Sequence, residues 1–138
     1  MCASFKVIQR RILIIDDDID LLMLLERRLD KEGYCVEAAA SLSEAEEIVY
    51  AFEPQVILLD INVRGEDGRR LCWKIKMPDA LPQAKVILMS GYDYSISRAM
   101  IFGADDLVPK PLNMEFLLHR VALHMSQVHE PVMERKRV

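Results

Sequence analysis

The sequence predicts an α/β domain built on a parallel sheet, and three observations carry that prediction. Short apolar runs alternate with segments of helical periodicity, the pattern of βαβ units. Three of the runs end in a polar side chain: Ile12 to Ile15 in Asp16 and Asp17, Val56 to Leu59 in Asp60, and Val86 to Met89 in Ser90. A weaker run, Asp106 to Pro109, delivers Lys110. Parallel strands would gather these groups at their C-terminal ends, where open α/β sheets bind ligands. Three carboxylates in one crevice repel one another, so the arrangement makes sense around a divalent cation and points to phosphoryl chemistry on magnesium.

Each element has its own signal. The first strand covers about Arg11 to Ile15. The first helix starts after Asp18, a good N-cap, places Leu21, Leu22, Leu25 and Leu29 on one stripe, and stops at Gly33. Tyr34 to Ala38 is a weakly patterned second strand. Ser41 or Ser43 caps the second helix, with Leu42, Ala45, Ile48 and Val49 inward; Pro54 separates it from the third strand. Asp67-Gly68 opens the third helix, which buries Leu71, Cys72 and Ile75 and sets Trp73 beside the buried stripe, where partial core burial is expected. The fourth strand runs from Lys85 to Met89. A short fourth helix spans about Tyr94 to Phe102, the fifth strand Asp106 to Val108, and the fifth helix Asn113 to Gln127. His119 and His124 read as surface or rim histidines. The domain is expected over 10–128, with an N-terminal extension over 1–9 and a tail or linker start over 129–138.

Bulk properties fit this reading. The 138 residues, 51% hydrophobic and 29% charged, suit one globular domain. A net charge of -4 argues against a nucleic-acid surface. Cys2, Cys35 and Cys72 are widely spaced and odd in number, which disfavours a disulfide framework or zinc site; Cys35 and Cys72 read as small core residues. No signal segment and no membrane-spanning run is present, so a cytoplasmic setting is expected.

The motifs Ile12 to Asp18, Leu58 to Asn62, Asp67-Gly68, Met89 to Tyr92 and Gly103 to Pro111 resemble, in order, those of the receiver domain of two-component response regulators. The resemblance implies a flavodoxin-like, doubly wound, five-stranded parallel sheet of order 2-1-3-4-5. It also implies that Asp60 is the phosphoacceptor, taking a phosphoryl group from a sensor histidine kinase or phosphotransfer protein. Asp17, Asp60 and the backbone carbonyl of Asn62 would ligate Mg²⁺, and Asp16 would hold metal-bound water. Ser90 would be the switch hydroxyl and Lys110 the phosphoryl contact. Tyr92, two residues beyond Ser90, would lie over the pocket. The signal would pass to an unidentified output domain or protein through the face of the fourth helix, fifth strand and fifth helix, and a homodimer is also open.

Three features depart from the family pattern. Arg64 stands where proline is usual, which suggests a mobile, basic loop after Asp60. Leu107 replaces the aromatic residue that rotates on activation in many members. The stretch from Ser90 to Gly103 is short. Two readings therefore stand beside a switching receiver: a non-switching interaction module using Leu107, Met100 and Phe102, and a receiver fragment of a hybrid kinase or larger regulator. A turnover enzyme with an aspartyl nucleophile is disfavoured, because such enzymes usually carry a second aspartate where this chain has Asn62, which cannot donate a carboxyl proton. The only catalysis expected is of the domain's own aspartyl phosphorylation and dephosphorylation.

Overall fold

Alternation of apolar strand residues across the two faces of one sheet organises the molecule. The computed structural model describes residues 9–91 and 102–128. Five strands, β1 (Arg11–Ile15), β2 (Cys35–Ala39), β3 (Val56–Asp60), β6 (Lys85–Ser90) and β7 (Asp106–Pro109), form a parallel sheet of order β2-β1-β3-β6-β7. With the strands of a small hairpin set aside, this is the expected 2-1-3-4-5 order. Winding reverses between β1 and β3, so the C-terminal ends of these two strands open the crevice.

That hairpin, β4 (Asn62–Val63) with β5 (Glu66–Asp67), was not expected. Among the described residues the helices are α1 (Ile19–Lys31), α2 (Leu42–Phe52), α3 (Gly68–Ile75) and α4 (Met114–Ser126), the last being the fifth helix of the sequence reading. The helix expected over Tyr94 to Phe102 lies outside the described residues except for Phe102, as do Tyr92, Met100, Cys2 and the tail from His129.

Both faces of the sheet are covered, as parallel sheets require. Leu13, Ile15, Ile57, Leu59, Val86 and Leu88 pack against α2 and α3. Ile12, Ile14, Val56, Leu58, Ile87 and Met89 pack against Leu22, Leu25 and Leu29 of α1 and Leu117, Val121 and Met125 of α4. Truncating a fully buried member such as Leu25 to alanine costs about 2–5 kcal/mol. Helix starts follow their caps: Asp18 accepts from the Leu21 amide, Ser41 from Glu44 and Asn113 from Phe116.

Several expectations are corrected. Trp73 is 54% exposed, because α3 turns Gly68, Leu71, Cys72 and Ile75 inward and carries Trp73 on its outer side. His124 is buried, not at the rim: its Nε2 lies 2.8 Å from the buried carboxylate of Asp106, which also accepts from Arg120 Nε at 2.5 Å. His119 is exposed as expected. Cys35 and Cys72 are both buried, as expected of small core residues, and the Cys72 thiol is pushed up to about 12 by desolvation. Among the described residues, no helix is long and apolar enough to cross a membrane.

Candidate functional site

The C-terminal ends of β1 and β3 bring Asp16, Asp17 and Asp60 together, with one carboxylate oxygen of each lying within 4.8 Å of the others. Asp16 follows β1 directly and is fully buried, whereas Asp17 is exposed. Asp60 closes β3 and is 7% exposed. Asp18 performs the capping of α1, which leaves Asp16 and Asp17 without a role at the helix start beyond the Asp18 amide bonding Asp16 Oδ1 at 2.9 Å.

Lys110 reaches the cluster from the loop after β7. Its Nζ lies 2.5 Å from Asp16 Oδ2 and 3.3 Å from Asp60 Oδ2. The backbone amide of Lys110 donates to the Ser90 carbonyl at 2.7 Å, and Ser90 closes β6 in register with Pro109 of β7. Ser90 is buried. The Lys110–Pro111 peptide is cis.

Electrostatics follow from this placement. Desolvation pushes the Asp60 carboxyl above its ordinary range, and the charge of Asp16 adds to that; Lys110 only partly opposes it. Burial works against the Lys110 ammonium, but its hydrogen bond to Asp16 and the charges of Asp16 and Asp60 outweigh it, so Lys110 is held above the ordinary lysine range. One ammonium against three carboxylates leaves an excess of negative charge that a divalent cation would balance. Oxygen donors alone suit a hard cation such as Mg²⁺ or Ca²⁺. The residues therefore fit a metal of that kind.

The segment after Asp60 is where the structure adds most. Asn62 pairs with Asp67 and Val63 with Glu66, and the turn residues Arg64 and Gly65 have φ of 53° and 81°. Two consecutive residues with positive φ make a two-residue hairpin turn of the primed kind, whose twist suits paired strands. The loop expected to be mobile is thus a pinned hairpin. The Arg64 amide donates to Asp17 Oδ2 at 2.8 Å, Arg64 Nε to the Ala40 carbonyl at 3.1 Å, and the Gly65 amide to Asn62 Oδ1 at 3.0 Å. The Asn62 amide reaches Asp60 Oδ1 at 3.3 Å. Because the Gly68 amide bonds the Ile61 carbonyl at 2.6 Å, Asn62 and Asp67 form the intervening non-hydrogen-bonded pair, and the Asn62 carbonyl is turned out of the hairpin.

Gly68 was read only as a helix start, yet a β-carbon there would lie 2.1 Å from the Asp60 carbonyl oxygen. Only glycine lets α3 begin this close to Asp60. Beside it, Arg69 makes a two-pronged contact with Asp67, with both bonds at 2.8 Å, and its guanidinium sits 5.0 Å from the centre of the Phe102 ring. The hydrogen bond from Arg69 holds the Asp67 carboxyl below the ordinary range.

Comparison with known proteins agrees with this geometry. The family model of the response regulator receiver domain matches residues 12–122. A CheY-like response regulator receiver domain protein from Methanospirillum hungatei is 31% identical, with a TM-score of 0.79 over 87% of this chain and 96% of that one. The signal receiver domain of a DNA-binding response regulator from Colwellia psychrerythraea is 29% identical, with a TM-score of 0.78 over 85% and 98%. A response regulator from Burkholderia pseudomallei, solved with a phosphorylated aspartic acid, a calcium ion and citrate, is 29% identical, with a TM-score of 0.74 over 87% and 71%. With its ordered motifs, its strand order and its acidic crevice all in place, the chain belongs to the response regulator receiver domain family of two-component systems.

Proposed function

We propose that this receiver accepts a phosphoryl group on Asp60 from the phosphohistidine of a sensor kinase or phosphotransfer protein in the cytoplasm, in a Mg²⁺-dependent reaction. The observation that carries the reading is the convergence of Asp60 with Asp16, Asp17 and Lys110. Asp17, Asp60 and the carbonyl of Asn62 would hold the cation, with Asp16 reaching it through water. Bound there, Mg²⁺ would neutralise charge on the carboxylates and on the incoming phosphoryl oxygens.

The protein's own groups do the positioning. An Asp60 carboxylate oxygen forms the new bond to phosphorus as the bond from phosphorus to the histidine nitrogen breaks, leaving the imidazole to take a proton from water. The Asn62 amide orients the carboxylate through Oδ1. Lys110, already 3.3 Å from Oδ2, stays protonated and meets the transferred group as a positive charge. Phosphorylation adds about -1.5 to -2 charge at neutral pH, which Lys110 and the hydroxyl of Ser90 can engage. A shift of Ser90 and Lys110 would then bias the face that carries β7 and α4 toward an output domain or protein. The domain catalyses only its own phosphorylation and dephosphorylation.

Leu107 favours a departure in the readout. It is half-buried and packs with Phe102 on the core between the sheet, α2 and α3, so the readout relies on backbone movement rather than on a rotating aromatic ring. Transfer from a phosphorylated histidine-containing protein tests the proposal. Label should move to this chain with Mg²⁺ and stay on the donor with excess chelator. Transfer unaffected by chelation would overturn the metal-dependent reading.

A further inference from the structure

Arg64 occupies a conformation that the proline usual at this position in the family cannot adopt. Its φ of 53° lies far from the value near -65° to which a proline ring is fixed. An arginine is also an unusual choice for a left-handed position, which favours glycine, asparagine and aspartate. Something must hold it there. The two bonds that Arg64 donates span three loops. Its backbone N–H meets Asp17 Oδ2 at 2.8 Å in the loop between β1 and α1, and its Nε meets the Ala40 carbonyl at 3.1 Å in the loop between β2 and α2.

Asp17 is the exposed member of the acidic cluster, whereas Asp16 and Asp60 are held by burial and by Lys110. An exposed aspartate samples several rotamers, and one that must serve as a ligand needs a partner that selects among them. The Arg64 N–H is such a partner, whereas Lys110 bonds Asp16 and Asp60. The neighbouring turn residue acts in the same sense, since the Gly65 amide fixes the Asn62 side chain and with it the strand that presents the Asn62 carbonyl.

We infer that Arg64 is a positioning residue for the cation site: the primed turn aims its backbone N–H at Asp17, and this holds the carboxylate in a metal-ready orientation. The inference rests on the Mg²⁺-dependent reading above. It assigns the work to the backbone at Arg64 and not to the guanidinium charge. The side chain serves as a tether to Ala40 that keeps the turn seated.

Calorimetric titration of Mg²⁺ into the purified chain separates the possibilities. Arg64→Pro removes the N–H and forbids the positive φ, so it should weaken Mg²⁺ binding by about tenfold or more, the size expected for losing a hydrogen bond to a charged group. Arg64→Asn keeps the N–H and tolerates the turn, and should stay within about threefold of the parent. In an Asp17→Ala background the two Arg64 variants should bind alike, because Asp17 is the group through which Arg64 acts. Circular dichroism and melting without Mg²⁺ confirm that each variant is folded; should Arg64→Pro fail to fold, Arg64→Val, whose β-branched side chain resists the positive φ that aims the N–H, takes its place with a loss expected in the same direction, and a folded Arg64→Val that binds like the parent overturns the inference.

Two further results overturn the inference. One is an Arg64→Pro protein that is folded and binds Mg²⁺ as tightly as the parent. The other is an Arg64→Asn protein whose affinity rises several-fold, which would assign the effect to removal of a repelling charge. A parent chain that shows no Mg²⁺ binding at all would instead contradict the metal-dependent function itself, so the two failures are distinguishable.

Discussion

Gly68 touches the backbone of Asp60 so closely that a β-carbon on it would lie 2.1 Å from the Asp60 carbonyl oxygen. The start of α3 is thereby seated on the strand end that carries the acidic cluster. Gly68→Ala forces one of the two to move, and the neighbour in the way is backbone, which cannot rotate aside. The variant should melt several degrees lower and accept phosphoryl groups at least about tenfold more slowly, since displacement of a reacting group by about 1 Å can cost a hundredfold. Melting curves and single-turnover labelling check this together.

Burial and the charge of Asp16 raise the Asp60 carboxyl. A carboxyl whose folded pKa lies above its unfolded value binds protons more readily in the fold, so ionising it costs stability above the folded pKa. Without divalent cation, Asp60→Asn should therefore be more stable than the parent at neutral pH. The gap should close as pH falls through the raised value. Urea melts of both proteins at pH 7 and pH 4 measure it.

Lys110 is the one cation bonded to both Asp16 and Asp60 among the described residues. Lys110→Ala leaves two buried carboxylates facing each other and should lower stability by about 1–2 kcal/mol, a figure discounted because the lysine side chain is 22% exposed. Saturating Mg²⁺ should recover most of the loss, because a cation that binds only the folded state stabilises it. A variant whose loss is unchanged by Mg²⁺ would contradict a shared site.

Asp106 anchors α4 to the edge strand β7 through Arg120 and His124. Burial would raise its carboxyl, but the bonds from Arg120 and His124 outweigh this and hold it below the ordinary range. The stability that this gives is present above the unfolded carboxylate pKa near 4 and is lost as pH falls through the lower folded value. Asp106→Asn should cost about 2 kcal/mol at pH 7 and progressively less below about pH 4, as read from melts across that range.

The sheet was legible because strand signals are local. Val56 to Leu59 is apolar at every position, as a strand buried on both faces must be, and Asp18, Ser41 and Asn113 announce the helix starts through side-chain chemistry. The acidic cluster was legible because it stands at strand ends. What the sequence hid depends on contacts distant in the chain. Arg64 carries no turn signal of its own, and its hairpin rests on Asp17 and Ala40, 47 and 24 residues away. His124 lies on a helix whose apolar face is weakly marked, and only the fold brings Asp106 beneath it. Gly68 looks like an ordinary helix start until the backbone of Asp60 is placed against it.

The most direct test of the account is the intact mass of the chain after incubation with a small acyl-phosphate or phosphoramidate donor and Mg²⁺. The parent should gain one phosphoryl group, labile to base as an acyl phosphate is, and Asp60→Asn should gain none. Undiminished labelling of Asp60→Asn, or an unlabelled parent with Mg²⁺ present, would contradict the assignment of Asp60 as the phosphoacceptor.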